Sequence, residues 1–144
     1  MTMREFADHI LARAQETKHP VTNLSLQKIM YFVLRNSSQI LTRDEQEEIY
    51  SEPFLVWRYG PVVESEYNRF NIFGSSEIVG EYQANQRYEK LNPLIDKFLD
   101  VAPFRMVSAS HTHHFWKNNQ EAIVYGRSDI SYPLDDVLRD GTTN

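Results

Sequence analysis

At 144 residues with a formal net charge of −5, the chain has the length of a single domain and an acidic balance. The lack of cysteine excludes a disulfide framework, a thiolate nucleophile and a cysteine-based zinc site. Basic residues are scattered among acids, which disfavours a phosphate-backbone surface and points toward a protein partner, with a basic one the expectation from charge.

The apolar fraction of 41% and aromatic fraction of 12% suit a globular domain with a real core. No apolar run approaches the ~18 residues that span a bilayer. The start, Met1 to Glu5, has no signal-peptide character. The expectation is one cytoplasmic domain over residues 1–144, with 141–144 a frayed tail and no membrane association.

The first element is a helix opened by the capping-box pattern Thr2-x-x-Glu5, with Phe6, Ile10, Leu11 and Ala14 at helical spacing. His19-Pro20 is expected to end it. Thr22 or Asn23 then caps a second helix whose apolar stripe runs through Leu26, Ile29, Val33 and Ile40, flanked by Met30, Leu34 and Leu41. "TRDEQEEIYSEP" (42–53) reads as a charged surface stretch with room for a short helical turn.

Phe54 to Tyr59 reads as a strand, with Leu55, Trp57 and Tyr59 on one face and Phe54, Val56 and Arg58 on the other. Gly60-Pro61 is expected to turn this strand into a helix carrying Val63, Tyr67 and Phe70 and ending before Gly74. Residues 77–86 are ambiguous, with a possible strand from Ile78. Asn92-Pro93 reads as a cap and first-turn proline, with Leu94, Ile95, Phe98 and Leu99 on the buried side. Pro103 repeats the device ahead of Met106 and Val107. Pro133 opens a last short helix through Leu138, stopped near Gly141. The predicted fold is mainly α with a small β-sheet, an α+β arrangement in one compact helical domain.

Phosphate-binding and nucleophile-elbow motifs are absent from the sequence. "SHTHHF" (110–115) is the one cluster that invites a metal, because His111 and His114 would share a helical face. Zinc would need further ligands from elsewhere, so the blander reading is a polar helix end. Glu45, Glu47 and Glu48 read as a solvated face. Ser108 and Ser110 beside His111 lack an acid partner and a turn signature. No catalytic residue, metal or other cofactor is assigned. Trp57 reads chiefly as core, whereas Arg58 and Tyr59 are equally suited to an interface.

Two segments carry a family resemblance. "TNLSLQKIMYF" (22–32) and "EPFLVWRYGPVVESEYNRF" (52–70) resemble the signature of SocA-like, or Panacea-domain, antitoxins of bacteria and phages. The matching residues are Leu26-Gln27-Lys28 with Tyr31-Phe32, then Trp57, Tyr59, Gly60, Pro61 and Val62, followed by Tyr67 and Phe70. Thr112-His113, Trp116-Lys117, Ile130 and the Pro133–Leu138 segment extend the likeness. The resemblance implies a non-enzymatic antitoxin that neutralises a cognate toxin by direct binding, and a possible adaptor that presents the toxin to a protease or its unfoldase. The 144 residues leave no room for the extra DNA-binding domain of some relatives, so no nucleic-acid partner is expected. Lys28, Tyr31, Trp57, Arg58, Tyr59 and Trp116 are the expected partner-binding residues. The alternatives are an accessory protein-binding module of phage or host without a toxin partner, and a metal-dependent enzyme using His111, His113 and His114.

Overall fold

Three threonine caps start the first three helices. In a computed structural model, which describes residues 1–139, Thr2 Oγ1 accepts from the Glu5 amide at the start of α1 (Met3–Glu16). Only half of the expected capping box forms there, since the Thr2 amide donates to Tyr88 Oη at 3.0 Å. Helix α2 (Asn23–Arg35) opens on a reciprocal box between Thr22 and Ser25, and α3 (Arg43–Ile49) on one between Thr42 and Glu45. Each box satisfies amide groups that a helix start leaves without partners.

Helix α1 stops at Glu16, before Pro20 can act. Lys18 adopts φ 61°, the Lys18 amide donates to the Gln15 carbonyl and the His19 amide donates to the Ala14 carbonyl. This is a Schellman ending with lysine where glycine is usual. Lys18→Gly is therefore expected to stabilise the fold by about 0.5–1 kcal/mol, because an L side chain in this conformation is disfavoured. Chemical denaturation of the exposed-site variant measures it.

Helix α2 is the axis of the molecule. Every residue but Leu24 is buried, because α1 and the later elements α4 (Glu64–Phe70), α5 (Asn92–Leu99), α6 (Pro103–His111) and α8 (Leu134–Arg139) pack around it, together with strand β2 (Gly60–Val62). A stripe reaching Ile40 and Leu41 was expected; the helix instead ends at Arg35 and is enclosed on all sides, as its Ile-Met-Tyr-Phe-Val-Leu run allows. One contiguous core results, with Phe6, Leu26, Met30, Tyr31, Phe54 and Tyr88 among its large buried side chains. Helix α7 (His114–Asn119) follows α6 after a break at Thr112-His113.

The small sheet differs from expectation. Strand β1 is Leu55–Trp57, and it pairs antiparallel with β2 through Leu55↔Val62, Val56↔Pro61 and Trp57↔Gly60. The turn lies at Arg58-Tyr59, and Gly60-Pro61 belongs to the second strand of a hairpin rather than to a strand–helix corner. Helix α4 begins only at Glu64, where the Glu52 carboxylate accepts from the Ser65 amide and hydroxyl. Proline is tolerated in β2 because this strand lies at the sheet edge and its partner Val56 turns its amide away toward Ile130, so no ladder bond requires a Pro61 N–H.

On its other side β1 is bonded to residues 126–132. The Val56 amide donates to the Ile130 carbonyl, Tyr132 to Phe54 and Arg58 to Gly126, all at 2.8–2.9 Å. This irregular segment, which bridges Leu55 at Ser131 alone, carries no sequence signal strong enough to be read in advance.

Residues 77–86 form no strand. They cross the surface as an extended strap, tied down by the Ile78 amide to the Val21 carbonyl and by Gln15 to Gly80, with Ile78 buried. Asn92 does not cap α5. It sits inside the helix start after a 3-10 turn (Gln86–Leu91), and its Oδ1 accepts from buried His9 Nε2 at 2.8 Å. The Asn85 amide donates to His9 Nδ1, so the ring is held as the neutral Nε2–H tautomer. The last helix opens after Pro133 as expected; its predicted stop near Gly141 and the frayed tail lie outside the described residues. No helix among the described residues is long and apolar enough to cross a membrane.

Candidate functional site: an arginine-aromatic cleft

The polar residues of α2 are structural. Asn23 Nδ2 donates to the Tyr67 carbonyl, Gln27 Nε2 donates to Asn23 Oδ1, and Gln27 Oε1 accepts from the Val63 amide. Lys28 Nζ donates to the Pro61 carbonyl at 2.6 Å. These side chains supply partners for backbone groups left over where the chain leaves β2 and enters α4, which would otherwise be buried and unsatisfied. The Leu26-Gln27-Lys28 and Gly60-Pro61-Val62 segments, far apart in sequence, thus meet in one contact.

Two expected partner-binding residues are thereby corrected. Lys28 and Tyr31 are both 0% exposed. Desolvation by burial pushes the Lys28 ammonium down to about 7. Tyr31 sits among Phe32, Phe54 and Tyr132, and its hydroxyl accepts from Arg35 and bonds His113 Nδ1 at 2.8 Å. Neither side chain reaches the surface. Polar character in an apolar helix marks internal satisfaction here, and the sequence cannot separate that from an interface.

Trp57 is 6% exposed, with Nε1 donating to the Ser128 carbonyl at 3.2 Å. Trp116 is half-buried; its Nε1 donates to the Trp57 carbonyl and its ring stacks on His111 at 3.9 Å. His111 Nε2 in turn donates to the Arg58 carbonyl at 2.9 Å. Desolvation holds the His111 imidazole below its ordinary value, opposed by the Arg58 carbonyl and aided by Lys28. Trp116 and His111 therefore brace the hairpin turn from behind.

The three histidines do not converge. The helix break separates His111 from His114, His111 bonds the hairpin, His113 bonds Tyr31 in the core, and His114 is exposed. Among the described residues no group of three or more His, Asp or Glu is placed to hold a metal ion. Ser110 is buried and donates to the Val107 carbonyl within its own helix.

Arg58 and Tyr59 do reach the surface. They stand at the mouth of a cleft of about 530 Å³ whose wall is completed by Tyr67 and Asn71 on one side and by Tyr125 and Arg127 on the other. Arg127 lies over the Trp57 ring at 4.4 Å and over the Tyr67 ring at 5.5 Å, and Arg58 lies over Tyr59 at 5.3 Å. Phe104, 65% exposed, extends the apolar rim by packing edge-on against Tyr59.

Sequence reasoning missed residues 124–127, which form a two-residue hairpin closed by both Val124–Arg127 backbone bonds. Its central residues, Tyr125 and Gly126, have φ 53° and 84°, the positive pair of a type I′ turn. Glycine suits that turn and tyrosine does not. Tyr125 is nevertheless fully exposed at 101%, so no packing within the chain offsets its conformation. The Tyr125-Gly126 pair was the available signal, too weak without an Asn or Asp.

In comparisons with known proteins, no family model, curated protein or solved structure matches the chain.

Proposed function

We propose that the protein is a non-enzymatic antitoxin that neutralises a cognate toxin by direct contact, and that the arginine-aromatic cleft is its contact surface. The observation that carries this reading is Tyr125: an aromatic ring in a disfavoured backbone conformation, wholly exposed, on the rim shared with Arg58, Tyr59 and Arg127. Backbone outliers of this kind concentrate at functional sites. Tyrosine, tryptophan and arginine are also the side chains that anchor protein interfaces. The resemblance of residues 22–32 and 52–70 to SocA-like antitoxins supplies the partner class.

The test is co-expression with the adjacent gene, scored for growth rescue and co-purification. Arg58→Glu is expected to abolish rescue while leaving the melting temperature nearly unchanged, since the side chain is exposed and its guanidinium lies over the Tyr59 ring. Equal loss of rescue and stability would assign Arg58 to the fold. A neighbour that is harmless alone would remove the antitoxin reading.

A further inference from the structure

The charge of the cleft is opposite to that of the molecule. The chain carries a net −5, yet the cleft lining contains two arginines and no acid. Elsewhere the structure pairs many of its cations: Arg13 with Asp96, Arg43 with Asp135, Arg69 with Asp8 and Glu66, and Lys90 with Glu45. Neither guanidinium in the cleft has a hydrogen-bond or ion-pair partner among the described residues; both lie on aromatic rings instead.

A guanidinium over a ring face is held in orientation while the N–H donors on its edge stay available. Those donors match a carboxylate in bidentate geometry. Arg58 and Arg127 belong to neighbouring turns, joined by the Arg58 amide to the Gly126 carbonyl at 2.9 Å. Around them the surface is aromatic: Tyr59, Tyr67 and Tyr125. A phosphate backbone would want a track of cations, which two arginines in an acidic protein do not make.

We propose that the cleft binds an acidic, aromatic-containing segment of the partner polypeptide, a Glu or Asp carboxylate engaging Arg58 and Arg127 while a neighbouring apolar ring packs against Tyr59 and Tyr125. The assignment rests on the reading of this cleft as a partner-contact surface, and adds what the partner presents.

The probe is a labelled peptide of alternating glutamate and tyrosine, titrated with the full chain and followed by fluorescence anisotropy. Beside it run the same peptide with glutamine for every glutamate, and a single-stranded oligothymidylate. The acidic peptide is expected to bind about tenfold or more tightly than its neutral counterpart and to weaken with added salt. Arg58→Gln and Arg127→Gln are each expected to cost about fivefold to tenfold, with Arg127→Lys retaining part of the affinity because charge and ring contact persist. Because Arg127 packs on Trp57, the melting temperature of each variant is measured alongside, and Arg58→Gln alone suffices if the Arg127 variants unfold. Equal affinity for acidic and neutral peptides overturns the proposal, as does oligothymidylate binding at least as tight as the acidic peptide. The two readings fail separately. A harmless neighbouring gene with intact acidic-peptide selectivity removes the toxin alone. Toxin rescue that depends on Arg58 without such selectivity removes the acidic segment alone.

Discussion

Gly60→Ala is expected to destabilise the protein by roughly 3–5 kcal/mol, a large part of the 5–15 kcal/mol that holds a typical domain together. Two costs combine. Gly60 has φ 103°, a conformation that an L side chain rarely adopts. An added Cβ would also fall inside van der Waals contact with Ser110 Oγ and lie 3.0 Å from Lys28 Cε. The hairpin, α6 and α2 meet at this point without spare volume, and a tightly packed interior resists even one extra methyl group. Ser110→Ala in the same chain should restore part of the loss, about 1–2 kcal/mol, by removing the hydroxyl while leaving the backbone strain. Urea unfolding of the two single variants and the double variant measures the coupling. Additive losses would show that Ser110 and the new methyl group do not collide.

The stability of the wild-type protein is expected to climb between pH 7 and about pH 10, and Lys28→Met should remove most of that climb. Lys28 is wholly buried with one carbonyl partner, and its folded-state value falls from 10.5 to about 7. The unfolded chain therefore holds one more proton than the folded chain across that window. A depressed lysine contributes stability that is fully present above 10.5 and is lost as pH falls to about 7. The slope approaches about 1.4 kcal/mol per pH unit, some 4–5 kcal/mol over the whole interval. Tyr50 and Tyr88, pushed up by burial, act in the opposite sense at the alkaline end, so the difference between wild type and variant is the quantity to read. Near neutral pH, Met should be the more stable side chain by about 2 kcal/mol, after allowing for the lost bond to the Pro61 carbonyl. The two stability curves should approach each other as pH rises and cross about one and a half pH units above neutral, the wild type being the more stable beyond that point. Parallel curves from pH 6 to about pH 9.5 would mean that Lys28 remains an ordinary ammonium inside the fold.

These two expectations share a location. Gly60 is small and Lys28 long because the hairpin backbone crosses directly over α2, where the Pro61 carbonyl needs a donor. The Gly60-Pro61 motif shapes the underside of the hairpin. Function is proposed for its exposed end, where Arg58 and Tyr59 project. A single short motif thus divides into a buried structural half and an exposed half, two residues apart.

By itself the sequence determined the features that local chemistry controls. Thr2 and Thr22 cap helices because a hydroxyl three residues before an amide closes that bond with no help from the rest of the chain. The run from Leu26 to Leu34 had to be a helix with an apolar stripe, the expected strand from Phe54 to Tyr59 survives as Leu55–Trp57, and a helical domain with a small sheet followed. Tertiary structure alone decided how far each element was enclosed. Lys28 and Arg58 are both cations in apolar surroundings, and their opposite fates depend on whether an element crosses above them. Neighbours from β2 and α6 close over Lys28, while Arg58 lies in a turn that nothing covers. The cleft was hidden for the same reason. Its walls come from residues near 23, 58, 67 and 125, and only long-range backbone pairing of residues 126–132 with β1 brings them together. Periodicity and capping are properties of a few consecutive residues, whereas a binding surface is set by contacts between distant ones.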